Sequence, residues 1–185
     1  MNLELFDKFW EERPSQRKEE WLAYLEICKM YLKKHNIEKP IVVELGVYKN
    51  KQKIFYEQLL GAEHIGIDIS KRRSVPDIKG DTHDPEILKM LKKRLDGRDI
   101  NILFIDACHK FDDVKKDFKI YSPLCTNIVA FHDTEIGRRG GRDGHQAWRF
   151  WDLLKNIAYK NDEKLMFFSI QHGHGPGIGV MIKND

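Results

Sequence analysis

The chain has 185 residues, 33 % of them charged and 41 % hydrophobic, and 32 basic against 29 acidic side chains give a net charge of +3. That is enough chain for one domain with a buried core, and its interleaved signs form no basic stripe for nucleic acid. Three cysteines (Cys28, Cys108, Cys125) without a CxxC pair, and no apolar run near the ~20 residues of a membrane span, point to a cytoplasmic protein with no membrane partner.

Glu4, Asp7 and Lys8 interrupt the apolar residues of the N-terminus, so it does not read as a signal peptide. Leu3, Phe6, Phe9 and Trp10 predict a short amphipathic helix over 3–10. Pro14 punctuates, and Ser15 is the expected N-cap of a second helix carrying Trp21, Leu25, Cys28 and Leu32. These helices, residues 1–36, are expected to pack on a core spanning 37–185 within a single domain. The Trp10 and Trp21 region is the expected interface of any homo-oligomer.

The chain turns on Ile41–Val42–Val43–Glu44–Leu45–Gly46, an unbroken apolar run ending in an acid and a glycine. That is how a buried parallel strand reads when it feeds a tight turn and a helix. Ile54, Phe55, Leu59 and Leu60 mark that helix, and Gly61 stops it. A second strand, 64–69, carries Asp68 at its end. Asp77–Asp81 predicts a short third strand, and Asp84–Pro85 opens a helix with Ile87, Leu88, Leu91 and Leu95.

Residues 100–106 give the clearest strand, ending in Asp106. Phe111, Val114, Phe118 and Tyr121 form a helical stripe that Pro123 closes. A strand over 127–133 ends in His132–Asp133. The segment 137–144, rich in glycine and arginine, predicts a mobile loop. A helix with Trp148, Trp151, Leu154 and Ile157 follows, and then strands at 165–171 and 177–182. Alternating strands and helices imply an α/β fold. The expected form is a Rossmann-like doubly wound sheet, mostly parallel, with helices on both faces and an antiparallel hairpin at one edge.

A dinucleotide site needs G-x-G-x-x-G so that backbone can approach a pyrophosphate. Only Gly46 is present; Tyr48 and Lys51 stand where the other glycines would be. S-adenosylmethionine carries no phosphate and removes that demand. It still needs a tight turn after the first strand and an acid for its ribose hydroxyls. Gly46 and Asp68 meet those needs, Asp68 lying 22 residues after Gly46. Glu44 has two readings, a buried acid satisfied by backbone amides or, preferred, a residue that orients the ammonium end; Asp81 is expected to approach the adenine.

Asp106 and Asp133 sit at strand ends that face the crevice of such a sheet. Two carboxylates on neighbouring strands repel unless a cation or proton intervenes, and Mg²⁺ accepts oxygen donors while keeping room for water or substrate. His109, three residues after Asp106, is a candidate base for an acceptor hydroxyl. Alternation would send His132 to the face opposite Asp133, leaving two readings: a core histidine, or a third metal ligand where the strand end bends. Arg138, Arg139 and Arg142 are candidates for holding an anionic acceptor, and His145 and His174 are further candidates for the acceptor side.

At these residues the chain resembles the class I S-adenosylmethionine-dependent methyltransferases. Within them it is most similar to the metal-dependent sugar and natural-product O-methyltransferases: macrocin and rhamnosyl O-methyltransferases and the cephalosporin hydroxylase family. The resemblance runs from about Ile41 to Ile182. It rests on Val43–Glu44–Leu45–Gly46, on Ile65–Gly66–Ile67–Asp68 and on Phe104–Ile105–Asp106–Ala107–Cys108–His109. Asp113, Val114, Asp117, Tyr121 and Leu124 follow, then Ala130–Phe131–His132–Asp133–Thr134 and Gly175–Pro176–Gly177–Ile178–Gly179–Val180.

The resemblance implies cofactor contacts from Glu44, Gly46, Tyr48, Asn50, Asp68, Ile69, Asp81 and Asp106. It also implies Mg²⁺ on Asp106, His132 and Asp133, with His109 as general base and a sugar or glycoside hydroxyl as acceptor. Asn50 replaces the family's glycine, Gln52 its small hydroxyl residue, and His132 an acid. Three other readings are a nicotinamide oxidoreductase, a metal-dependent hydrolase, and a non-catalytic binding protein that keeps the fold.

Overall fold

The computed structural model describes residues 1–12, 14–69, 75–138 and 144–183. Among the described residues seven strands form one sheet: β1 (Ile41–Leu45), β2 (Glu63–Asp68), β3 (Ile78–Lys79), β4 (Ile100–Ile105), β5 (Cys125–His132), β6 (Leu165–Ile170) and β7 (Ile178–Lys183). Their spatial order is β3-β2-β1-β4-β5-β7-β6. The pairs from β3 to β5 are parallel; β7 runs antiparallel to both β5 and β6. The sheet is the mostly parallel one with an antiparallel edge hairpin that the alternation of elements predicts. Strand order reverses between β1 and β4, so the crevice for a ligand opens at their carboxyl ends.

The parallel strands are buried on both faces, which is why they read as unbroken apolar runs. One face carries Val43, Leu45, Ile65, Ile67, Leu103, Ile105, Val129 and Phe131. It packs against α4 (Pro85–Leu95), α5 (Phe111–Tyr121) and α6 (Ala147–Lys160). The other face carries Val42, Ile102, Phe104, Ile128, Ala130 and Val180, covered by α1 (Leu3–Trp10), α2 (Lys18–Lys34) and α3 (Lys53–Leu60).

The N-terminal helices are part of this second layer. Trp21 is fully buried and meets Phe55, Tyr56 and Phe104 edge-on at 5.5–6.2 Å. Burying such rings is among the larger single contributions to a core. Trp21 is therefore not a surface residue open to a second copy, because its ring fills the gap between α2 and the sheet. Glu20, also fully buried, accepts from the backbone amides of His172 (2.9 Å) and Gly177 (3.2 Å). This ties α2 to the connection between β6 and β7.

Some boundaries differ from the sequence reading. Arg17, not Ser15, occupies the N-cap of α2 and gives no side-chain cap, since Ser15 and Gln16 run on toward the strand ends. The third strand shrinks to two residues, and β5 begins at Cys125. The arginine-glycine segment falls largely on 139–143, which lie outside the described residues. No helix among the described residues is long and apolar enough to cross a membrane.

Candidate active site

A cavity of about 880 Å³ opens at the carboxyl ends of the strands. Gly46, Tyr48, Asp68, Ile69 and Asp81 line it on the β1–β2–β3 side; Asp106, His109, His132, Asp133 and His145 line it on the β4–β5 side. Ser15, Gln16 and Arg17 reach it from ahead of α2, and His174 and Pro176 from the β6–β7 connection.

Gly46 is fixed by sterics. Its φ is +85°, and a Cβ there would lie 2.3 Å from the backbone oxygen of Asp106. The two strand ends close on each other because this residue has no side chain: Gly46 N donates to Ile67 O and Asp106 N to Leu45 O, both at 2.8 Å. The turn continues with Tyr48 and Asn50 at φ +47° and +55°. Tyr48 N donates to Asp68 Oδ2 at 2.7 Å, which aims the β2-end carboxylate at the first turn. Ile69, 63 % exposed, offers an apolar surface beside it.

Two residues expected at the cofactor do not line the cavity. Glu44 is fully buried on the face under α1–α3, and its Oε2 meets His64 Nε2 at 2.8 Å. Burial lifts its carboxyl above the ordinary carboxylate range, against the pull of His64. Asn50 is half-buried and donates through Nδ2 to Val75 O. Arg138 is not at the cavity either. It forms a two-pronged pair with Asp152 at 2.7 and 3.0 Å and another with Glu135 at 2.9 Å. Arg139 and Arg142 lie outside the described residues.

On the β4–β5 side, register decides which side chains meet. Phe104 pairs with Ala130 and Ile105 with Phe131, so the next step sets Asp106 opposite His132. His132 Nδ1 lies 3.0 Å from Asp106 Oδ1 and 3.2 Å from Asp133 Oδ1. Asp133 ought to point to the far face. Its φ of +61°, a left-handed conformation that aspartate tolerates better than most residues, turns it back beside its neighbour.

His132 thus stands between two carboxylates. Burial lowers its pKa, but Asp106, then Asp133 and Glu20, outweigh that and raise it to about 9. At neutral pH an imidazolium supplies the positive charge that the two acids demand. Its Nε2 is buried without a hydrogen-bond partner. Gln16 Nε2 donates to the other oxygen of Asp106 at 2.9 Å.

The second oxygen of Asp133 serves two more histidines. His109 Nδ1 is 3.0 Å from Oδ2 and His145 Nδ1 is 2.6 Å from it, their rings stacked at 4.8 Å. The backbone brings them together: Gln146 N donates to His109 O, and Gln146 Oε1 accepts from Phe111 N. The start of α6 is laced in this way to the start of α5. Among the lining residues, five aspartates (68, 81, 106, 113, 133) face one arginine, Arg17, and five histidines (83, 109, 132, 145, 174). Such a site favours cations and neutral polar molecules over anions.

Sequence reasoning did not find Gln16. It lies 90 residues from Asp106, and nothing local marks it. Glu20 and the pairing of Glu44 with His64 were equally out of view.

The shape has clear parallels among solved structures. MycE from the mycinamycin biosynthetic pathway, in complex with Mg, SAH and mycinamycin VI, superposes with a TM-score of 0.58 at 18 % identity. That match covers 84 % of this chain and 47 % of MycE. The O-methyltransferase TomG from Streptomyces achromogenes, in complex with SAM, gives 0.59 at 15 % identity over 84 % of this chain and 78 % of its own. An O-methyltransferase from Bacillus cereus, in complex with SAH, gives 0.57 at 13 % identity over 85 % and 79 %. The fold is that of the class I methyltransferases. This methyltransferase fold spans about half the length of MycE. Among curated proteins, y4gI of Sinorhizobium fredii, uncharacterized, is 30 % identical over 83 residues, 44 % of this chain and 8 % of that protein. A scan against protein families matches none.

Proposed function

We propose that the chain is an S-adenosylmethionine-dependent O-methyltransferase that acts on a hydroxyl of a neutral small molecule, a sugar or glycoside first among them. One observation carries this reading. A single cavity holds a nucleoside-type turn, Gly46 with Asp68, on one wall and a carboxylate–histidine cluster on the other. Its volume suits a cofactor and an acceptor side by side.

The residues fit the cofactor in three ways. The Asp68 carboxylate faces the cavity where ribose hydroxyls need an acceptor, and Ile69 offers the adenine an apolar wall. The excess of aspartates suits a sulfonium and an ammonium. They also fit Mg²⁺: Asp106 and Asp133 would hold it as oxygen donors in place of the imidazolium charge, and His132 would be the third ligand only on giving up its proton. When bound, the sulfonium would supply the methyl group and the metal would lower the pKa of an acceptor hydroxyl.

The chain's own contribution is alignment and proton handling. His109 Nδ1 lies 3.0 Å from Asp133 Oδ2, and a proton held on that side would leave Nε2 as the basic atom. Nε2 would take the proton of the acceptor hydroxyl, leaving that oxygen ready for the methyl group the cofactor would supply. Gln16 holds Asp106 in place from the other side. Holding both reactants in line can supply on the order of 7–11 kcal/mol. With Arg138 committed to Asp152 and Glu135, an uncharged acceptor suits the cavity better than an anionic one.

The test is a calorimetric titration of S-adenosylhomocysteine, with and without Mg²⁺, into wild type, Asp68→Ala and Asp106→Ala. Saturable binding lost in Asp68→Ala, and a magnesium heat lost in Asp106→Ala, are the expected results. Absence of nucleoside binding at every magnesium level would sink the reading; retained magnesium heat would then favour the hydrolase.

A further inference from the structure

We propose that His109, Asp133 and His145 form a binding site for a borderline divalent metal ion such as Zn²⁺, separate from the magnesium position on Asp106. Their candidate ligand atoms all lie within 4.8 Å of one another, the only such group among the described residues. The two imidazoles converge on one carboxylate oxygen, Oδ2, while Oδ1 of the same aspartate faces His132 and Asp106. Asp133 therefore presents a different oxygen to each side.

Donor chemistry separates the two ions. Mg²⁺ prefers oxygen ligands, whereas two imidazoles with one carboxylate suit Zn²⁺ and its neighbours. The spacing agrees. With metal–ligand bonds of about 2.0–2.2 Å, two ligands of a tetrahedral ion sit about 3.3–3.5 Å apart. The His109 and His145 contacts to Oδ2, 3.0 and 2.6 Å, need to open by less than about 1 Å to admit an ion. An imidazole that carries its proton on Nε2 presents a free Nδ1 lone pair, so both rings can ligate through Nδ1 in that tautomer.

The surroundings favour a cation. The cluster is partly open to the cavity, so an ion has a route in. The lacing of His109 to Gln146 holds the rings stacked before any metal arrives. In terms of the methyltransferase reading, a bound ion takes the His109 nitrogen whose proton would otherwise tether it to Asp133, so metal occupancy and base catalysis exclude each other. The site itself does not depend on that reading.

The test is a Zn²⁺ titration against a fluorescent chelator, with Mg²⁺ titrated in parallel, on wild type, His145→Ala, His145→Gln, His132→Ala and His174→Ala. Circular dichroism checks that each variant is folded. The expected result is one equivalent of Zn²⁺ bound more tightly than Mg²⁺. Affinity falls more than about tenfold in both His145 variants and is unchanged in His174→Ala. Two outcomes overturn the proposal: Zn²⁺ no tighter than Mg²⁺, or a loss in His132→Ala with His145→Ala binding like wild type. Nucleoside binding, measured separately, tells this failure apart from failure of the methyltransferase reading.

Discussion

Two carboxylate–histidine pairs lie on the same face of the sheet and differ mainly in what surrounds them. Glu44 and His64 meet at 2.8 Å with no exposure of either side chain. Asp106 and His132 meet at 3.0 Å a few residues further along, at the cavity wall, with 13 % and 10 % exposed. The first pair is sealed by Tyr56, whose ring stacks on His64 at 5.3 Å, and by Gly66, whose missing side chain leaves His64 its space. The second has a further carboxylate beside it and a cavity in front. One acid and one histidine alone do not make a site. An unbalanced charge that something from outside can reach does.

That contrast ranks the ion pairs of the molecule by burial, and each can be broken separately. Removing one member of the sealed pair strands a buried charge, so His64→Ala should cost about 3–5 kcal/mol in urea denaturation. The nucleoside affinity of the folded fraction should not change, whereas Asp106→Asn should lose magnesium binding at little cost in stability. A loss under about 1 kcal/mol in His64→Ala would erase the distinction between the two pairs.

An intermediate case sharpens it. Asp117 is buried on α5, 3.2 Å from His83 Nε2, with Asp81 and Asp113 adding negative charge. Burial raises its carboxyl from 3.8 to about 6, against Thr82 and His83. A raised carboxyl favours the folded state while protonated. Its contribution is complete below about 3.8 and lost as pH rises through about 6. Thermal melts between pH 4 and 7 should show that slope, and Asp117→Asn should flatten it. At the exposed end, Arg138→Ala should cost less than about 1 kcal/mol and leave the acceptor KM unchanged. A raised KM would bring Arg138 back to the acceptor.

The strands and their order of appearance were legible because a parallel strand covered on both faces must be apolar throughout. Strand-end acids were legible too, since Asp68 and Asp106 stand where such runs stop. What the sequence hides is rotation and distance. Asp106 and Asp133 look like partners, yet register opposes Asp106 to His132, and a left-handed backbone brings Asp133 back. Glu44 looks like a strand-end acid but lies two residues short of the turn, on a buried face. The diagonal neighbour on that face is His64, visible only once β1 and β2 are registered. Gln16 and His145 arrive through chain folding that no local pattern encodes.

The buried carboxylate of Glu20 bears on how this protein can be cut. It holds the amides of His172 and Gly177 from a helix at the other end of the chain, while Trp21 beside it fills the face of β4. A fragment starting at residue 37 would bare an aromatic surface and release the connection that brings His174 and Pro176 to the cavity. Residues 15–17 are thus a wall of the cavity, and α1 and α2 part of the folded body rather than a removable extension, so trimming or tagging is better directed to exposed turns elsewhere.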